Sequence, residues 1–276
     1  EVIRLSMVEI TKKYKIGSRR FGLINWVGAW TLYKKEVLRF LIVWIQTIIS
    51  PLISSLLFLL VLSLAIGADR GEVLGVPFIS FLAPGLISMQ VIQQSFSHSS
   101  SSFMIGKIQG NIVDLLYAPL SATEVTISVA LSAVTRSAII AIVSIIVFKL
   151  IIDIEITNYL LLVVFTLLSS FILGNLGIIA GLWAEKFDHM ATVTNFVIVP
   201  LSFLSGTFYS VDRLPETLQL ISKANPFFYM IDGFRYSFIG KADGSIFVGL
   251  IYLSVLSFVS WFVTYLLYKK GYKIKS

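Results

Sequence analysis

Residues 160–182 read LLLVVFTLLSSFILGNLGIIAGL, a run of 23 residues that carries no charge. An α-helix rises about 1.5 Å per residue, so about 20 apolar residues cross the hydrocarbon core of a bilayer. A soluble core of 276 residues does not need several such runs, so the sequence predicts an all-α polytopic membrane protein. Four further runs have the length and composition of a span: Leu41–Ile66, Thr126–Phe148, Ala191–Phe208 and Ile246–Tyr268.

A sixth predicted span, Val76–Phe103, starts apolar and then enters QVIQQSFSHSSSS at residues 90–102. Polar side chains at membrane depth must find partners or a watery cavity. We therefore expect this span to pack among other helices. Its Gln- and Ser-rich face is predicted to line a path for cargo or to form an assembly surface.

Composition excludes several kinds of chemistry. The chain is 57% hydrophobic, has no cysteine and has only two histidines, so thiolate and histidine metal sites are not expected. The phosphate-binding motif G-x-x-x-x-G-K-[ST], H-E-x-x-H and G-x-S-x-G are missing from the sequence. We predict no catalytic residue, no metal site and no enzymatic activity. Carboxylates are also missing from the spans, which weakens a proton- or sodium-coupled secondary transporter without excluding it.

The distribution of Lys and Arg predicts the orientation. With six spans and the N-terminus inside, the inner segments carry fifteen of these residues, nine of them in residues 1–39, and the outer segments about six. The positive-inside rule then places both termini in the cytoplasm. The net charge of +7 fits anionic lipid at the inner surface, so no nucleic-acid partner is needed.

The segment before the first span, residues 21–40, has an aromatic face. Side chains recur at helical spacing along it, which predicts an amphipathic helix at the inner membrane surface. The alternative is a cytoplasmic extension of the first span. The face consists of Trp26, Trp30, Tyr33, Val37 and Phe40.

The inner loop 106–124 predicts a short helix over Asn111–Tyr117 that ends at Ala118-Pro119. Ser121 and Glu124 then form a capping-box pattern that opens the third span. A short rigid helix at a cytoplasmic turn is typical of a docking element. If the protein transports, its energy must come from another subunit, and this loop is the natural contact.

The outer segment 210–245 predicts two helices that dip partway into the membrane. One starts at Pro215 and is stopped by Asn225-Pro226, and the apolar run Phe227–Gly240 is too short to cross. Asp232 and Arg235 stand at i, i+3 and are predicted to pair on one face.

In the fourth span small residues share one face, which lets helices approach closely. We favour packing within the subunit over a contact between subunits. These residues are Ser170, Gly174, Gly177 and Gly181.

Two segments resemble one family of transporters. IVDLLYAPLSATEV (112–125) and LSGTFYSVDRLPETLQLISKANPFFYMIDGFR (204–235) are similar to the membrane subunits of type-2 ABC exporters, closest to the drug-efflux-like branch. The resemblance covers almost the whole chain, as one transmembrane domain over 1–276. Its parts are the tail and surface helix (1–40), spans one to five (41–209), the re-entrant outer segment (210–245), and the last span with its tail (246–276).

The resemblance implies a subunit of the prokaryotic cytoplasmic membrane. It implies pairing with a second copy or a close homologue, and with ABC ATPase subunits that hold ATP and Mg²⁺, so this chain needs no cofactor. The cargo would be an amphiphile, either drug-like or lipid, with a glycan also open. A channel or secondary transporter without a partner is the alternative.

Three sets of candidate site residues follow. Arg136 falls at the depth of the glutamines in the neighbouring span, so it either contacts cargo or is held by those amides as a packing device. His98 is interpreted as a hydrogen-bonded helix residue. The predicted path residues are Gln90, Gln93, Gln94, Ser97 and Arg136, and the predicted ATPase contacts are Lys107, Gln109, Asn111, Asp114, Tyr117 and Pro119. The predicted outer gate is Pro215, Asn225, Pro226, Tyr229, Asp232 and Arg235.

Overall fold

A computed structural model describes residues 24–70, 72–152 and 154–274, without the side chains of 66–70. Most of the predicted cytoplasmic tail, residues 1–23, therefore lies outside the described residues. The described chain is almost wholly helical. Its α-helices are α1 (Trp26–Ile42), α2 (Ser50–Arg70), α3 (Phe78–Ile108), α4 (Ile112–Tyr117), α5 (Ala122–Ile151), α6 (Tyr159–Trp183), α7 (Phe187–Val193), α8 (Val199–Leu204), α9 (Glu216–Ala224), α10 (Pro226–Ile239) and α11 (Ile246–Lys269).

Five helical segments of the described chain are long and apolar enough to cross a membrane. They agree with the five predicted apolar runs to within about four residues, so the multi-pass prediction is confirmed. The predicted sixth span, α3, is 31 residues long but is not in this set, because glutamines and serines fill its second half. The five segments are Ile45–Ala65, Ala122–Ile151, Tyr159–Trp183, Phe187–Leu204 and Ile246–Lys269.

Two of these spans contain a π-helical turn that ends two residues before a proline. The turns are Ile45–Ile49 before Pro51, and Thr194–Ile198 before Pro200. A proline has no N–H and its ring crowds the carbonyl four residues earlier. The wider i→i+5 turn relieves that crowding, with Ser50 N–H donating to the Ile45 carbonyl. The irregularity before Pro51 thus takes the form of a π turn.

Helix α3 lies at the centre of the subunit and packs against α2, α5, α6 and α10. Its closest approach is to the small-residue stripe of α6. A Cβ added at Gly177 would stand 2.5 Å from the Phe96 carbonyl oxygen, and one at Gly181 would stand 2.8 Å from that of Ser100. The preferred interpretation, packing within the subunit, is confirmed for this stripe.

One element departs from the all-α prediction. Glu72–Val73 pairs antiparallel with Val76–Pro77, joined by a two-residue turn at Leu74 and Gly75. Both turn residues have positive φ, as the right-handed twist of a tight hairpin requires. The loop between α2 and α3 therefore contains a short β-hairpin.

The outer segment has the helices predicted for it. Pro215 stands before α9, and Asn225 ends that helix while its side chain caps α10 by accepting from Phe227 N–H at 3.1 Å. Helix α10 then packs against α3, α6 and α11. Gly240 ends it in the left-handed conformation, with φ of 71°.

Candidate translocation cleft and cytoplasmic joint

The five residues predicted to line a path all line a single cleft. It has a volume of about 650 Å³ and lies between α3 and the segment that joins α1 to α2. Gln90, Gln93 and Gln94 stand near the middle of α3, and Arg136 reaches the same cleft from α5. The periodicity of the polar stretch therefore places its amides on one face of the helix.

Arg136 is 7% exposed and donates a hydrogen bond from its guanidinium to the Gln94 side-chain oxygen. Its Nε–H is buried and donates no hydrogen bond within the described part of the chain. An amide accepts from Arg136, as the packing interpretation expects. That interpretation leaves one donor of a buried cation without a partner.

Gln90 and Gln93 are half-buried, and Ser97 is exposed on the same side of α3. Among the described residues the two glutamine side chains have no hydrogen-bond partner. A half-buried amide without a protein partner is satisfied by water or by a ligand. The lining of the cleft thus presents free donors and acceptors.

Arg39 also lines the cleft, and the sequence analysis did not identify it. Its guanidinium bonds the buried Glu36 carboxylate at 2.9 Å, the His98 carbonyl oxygen at 2.9 Å and Ser101 Oγ at 3.2 Å. This network fastens α1 to α3. The i, i+3 spacing of Glu36 and Arg39 was the available signal, since such pairs meet on one helical face.

His98 is held by neighbouring side chains. Its Nε2 lies 2.8 Å from Ser132 Oγ, and the ring of Phe40 stands edge-on to it at 5.6 Å. The interpretation of His98 as a hydrogen-bonded helix residue is confirmed.

We call the contact of Asn25 with Pro119 and Glu124 the cytoplasmic joint, after the side of the membrane predicted for it from the sequence. It links α1 to the loop after α4. The predicted capping box is present, with Ser121 N–H donating to the Glu124 carboxylate at 2.6 Å. The other oxygen of Glu124 accepts from the backbone N–H of Asn25 at 2.6 Å. The side chain of Asn25 donates to the Pro119 carbonyl at 3.1 Å. One carboxylate therefore holds the N-termini of α1 and α5 together.

The predicted ATPase contacts divide into two groups. Lys107 is used inside the subunit, where its ammonium donates to the carbonyls of Leu182 and Ala184 at the end of α6. The other five are exposed at the turn between α3 and α5, and Asn111 bonds Gln109 at 3.1 Å. Tyr117 is 85% exposed. A groove of about 610 Å³ separates this turn from α1, and Asn111, Asp114 and Pro119 line it.

The segment after α11 is tied to the turn after α6. Lys273 donates to the Glu185 carboxylate at 2.9 Å. This bond lowers the pKa of Glu185 and raises that of Lys273. The turn after α6 is thereby held by Lys107 on one side and by the chain end on the other.

The aromatic face predicted for α1 is only partly exposed. Trp26 and Trp30 are exposed, at 73% and 64%, whereas Phe40 is buried. The stripe of α1 that packs into the subunit contains Leu32, Glu36 and Phe40. This buried stripe packs against α5. Tyr33 also bonds α5, because its hydroxyl lies 2.7 Å from Thr135 Oγ1.

The predicted pair of Asp232 and Arg235 is wrong, because each side chain has other partners. Asp232 accepts from the backbone N–H groups of Asp243 and Gly244, at 3.0 and 2.9 Å. Arg235 donates to the carbonyls of Gly206 and Thr207. Both residues are buried, so each fastens α10 to a chain segment outside its own helix.

Other residues of the predicted outer gate also make internal contacts. Asn225 Nδ2 donates to the Leu201 carbonyl at 3.1 Å and to Ser205 Oγ at 2.8 Å. Tyr229 lies against Gly249 and stands edge-on to Tyr252 at 5.4 Å. Helices α9 and α10 are therefore linked to the end of α8 and to the start of α11.

Comparison with known proteins agrees with this arrangement. The sequence profile of the ABC-2 type transporter family matches residues 28–239. The chain is similar to the inner membrane transport permease YadH of Escherichia coli strain K12, with 30% identity over 253 residues that cover 92% of this chain and 99% of YadH. It is also similar to nodulation protein J of Rhizobium leguminosarum bv. viciae, with 25% identity over 80% of this chain and 84% of that protein.

Proposed function

Since the chain belongs to the ABC-2 type transporter family, we propose that it lines the translocation path of an ATP-driven exporter and moves an amphiphile outward. It is a multi-pass permease subunit of the cytoplasmic membrane, and in this family the ATPase is a separate subunit. The observation that carries the proposal is the cleft, where all five predicted path residues meet. Polar groups gathered in one cavity of a membrane protein are typical of a substrate pathway.

The proposed topology has six spans, with α3 as the second, and both termini in the cytoplasm. The excess of Lys and Arg in the N-terminal segment and the C-terminal tail supports it. The central position of α3 supports its role as a span, because neighbouring helices cover its polar residues on most sides. In this orientation the cleft lies in the middle and inner half of the membrane.

The proposed contact for the ATPase is α4 with the exposed residues around it, and ATP and Mg²⁺ would be bound by that partner. The cytoplasmic joint supports this assignment, because it connects the loop after α4 rigidly to α1 and α5. A displacement of α4 would therefore reach α1, which carries Arg39 into the cleft. The outer segment would move as a unit with the last two spans, at the proposed exit.

A second copy or a close homologue would complete the path. The spans Ile45–Ala65 and Phe187–Leu204 expose most of their apolar surface in the single chain. These surfaces are available to lipid and to a partner subunit. The cleft lies beside the first of them, as a path shared by two copies requires.

The coupling proposal is tested with the ATPase that co-purifies with the full chain. Replacement of residues 110–117 by a Gly/Ser stretch, or Tyr117→Ala alone, should reduce both ATPase binding and substrate-stimulated hydrolysis. Tyr159→Ala, on an exposed tyrosine at the other end of the molecule, is the matched control and should leave both unchanged. Stimulation that persists after replacement of 110–117, or transport in vesicles without any ATPase, would contradict the proposal.

A further inference from the structure

We infer that the cleft binds the anionic headgroup of an amphiphile while the apolar part lies in the adjoining groove, which runs from the end of α1 to the start of α2. This rests on the proposed function and names the substrate class for the same site. Three observations support the inference: the charge balance of the cleft, its free amides and the continuity of the two cavities.

The charge balance of the cleft is positive. Arg39 and Arg136 both line it, and no carboxylate is among its lining residues in the described chain. Arg39 is compensated by Glu36 at 2.9 Å. Arg136 forms no ion pair with any described residue, and its one hydrogen-bond partner is the neutral amide of Gln94. One buried cation at membrane depth is therefore without a counter-ion.

A buried charge without a counter-ion is costly in a medium of low dielectric constant. An anion in the cleft would remove much of that cost and could accept from the guanidinium in the bidentate geometry that arginine offers. The free amides of Gln90 and Gln93, with the Ser97 hydroxyl, supply further donors for a phosphate- or carboxylate-like group. A cationic headgroup would meet repulsion from Arg136.

The cleft continues into an apolar groove. This second cavity, of about 510 Å³, is lined by the exposed side chains of Ile42, Trp44, Ile45 and Ile53 and by the half-buried Ile49. It shares four lining residues with the cleft: Val43, Gln46, Ser50 and Ser54. A polar cavity that opens sideways into an apolar one matches a molecule with a charged head and a hydrocarbon tail.

Trp44 in the groove reports on the occupant. The full chain is placed in phosphatidylcholine nanodiscs that contain increasing amounts of brominated phosphatidylglycerol or, in parallel, brominated phosphatidylcholine with identical chains. Bromine quenches tryptophan fluorescence at contact, and the signal of Trp44 is the difference between the protein and its Trp44→Phe variant. Phosphatidylglycerol should be preferred at least about tenfold, because a hydrogen bond to a charged group contributes about that factor or more.

Variants distinguish binding of the headgroup in the cleft from a general attraction of anionic lipid to the protein. Arg136→Gln should bring the preference to within about twofold of unity, and Arg136→Lys should retain most of it, since the charge is kept. Gln93→Glu keeps Arg136 but adds a carboxylate to the cleft, so it should also abolish the preference for phosphatidylglycerol. Lys149→Gln removes an exposed cation from the last turn of α5, the helix that carries Arg136. It should leave the lipid preference unchanged.

Equal quenching by the two lipids, or a preference that survives both Arg136→Gln and Gln93→Glu, would overturn the inference. Displacement of phosphatidylglycerol by excess inorganic phosphate would also overturn it, because the site would then take a free anion. If Arg136→Gln changed the dimeric state but not the lipid preference, Arg136 would be assigned to dimer assembly and not to lipid binding. The measurement needs no ATPase, so its failure is distinguishable from a failure of the export proposal.

Discussion

Replacement of Glu124 by glutamine tests whether the cytoplasmic joint fastens α1 to the loop after α4. The two carboxylate oxygens accept from Asn25 N–H and Ser121 N–H, each at 2.6 Å, and the side chain is buried. A glutamine amide offers one oxygen, so one of the two N–H groups would face an NH₂ group. A hydrogen bond to a charged group is worth about 1.5–3 kcal/mol, and we expect a loss of that size at the joint.

The loss is measured by amide hydrogen exchange on the purified chain. A loss of about 1.5–3 kcal/mol corresponds to exchange that is roughly 10- to 100-fold faster in residues 24–30. The midpoint of thermal unfolding should fall as well. Glu155→Gln removes a carboxylate from an exposed loop and is the matched control, for which no change is expected.

Two outcomes would refute the reasoning. Exchange in residues 24–30 that stays within about twofold of the unmodified chain would mean that Glu124 does not hold α1. An equal acceleration in the Glu155→Gln control would mean that lost charge, and not the joint, is responsible.

Two further predictions concern packing. Gly177→Ala should lower stability by about 1–3 kcal/mol in a denaturant or thermal unfolding assay, because its Cβ would meet the Phe96 carbonyl at 2.5 Å. Gly106→Ala, whose Cβ would find its nearest atom at 3.6 Å, should be neutral or stabilising, and an equal loss in both variants would contradict the close contact. Arg235→Met should lower stability by about 2–4 kcal/mol, because the carbonyls of Gly206 and Thr207 lose their buried donor. Arg213→Met, which removes an exposed arginine, should shift the unfolding midpoint by far less, and equal shifts would count against the assigned role of Arg235.

Span lengths, caps and helix boundaries depend on residues within one or two helical turns, and these features agree with the sequence predictions. The apolar runs predicted five spans, and the capping box at Ser121 and Glu124 predicted where α5 begins. Asn225-Pro226 likewise marked the boundary between α9 and α10. Each of these signals is a local hydrogen bond, a missing N–H group or a length of hydrocarbon, all of which can be read from consecutive residues.

The candidate site was predicted in part for the same reason. Helical spacing within residues 90–97 places the polar side chains of α3 on one face, and matching depth in the next span added Arg136. Arg39 was missed, because its place in the cleft depends on how α1 packs against α3. The pairing of Asp232 with Arg235 was wrong because the i, i+3 rule takes no account of partners elsewhere in the chain.

The sequence by itself therefore determined that this is a helical membrane protein with a polar face in its second predicted span. It also determined where most of the helices begin and end. Only the tertiary structure decided what those polar groups meet. The contact from Asn25 to Glu124 joins residues 99 positions apart, and that from Lys107 to Ala184 joins residues 77 apart. Such contacts depend on how helices stack, and stacking follows from the combined shape of many side chains, which no single stretch of sequence contains.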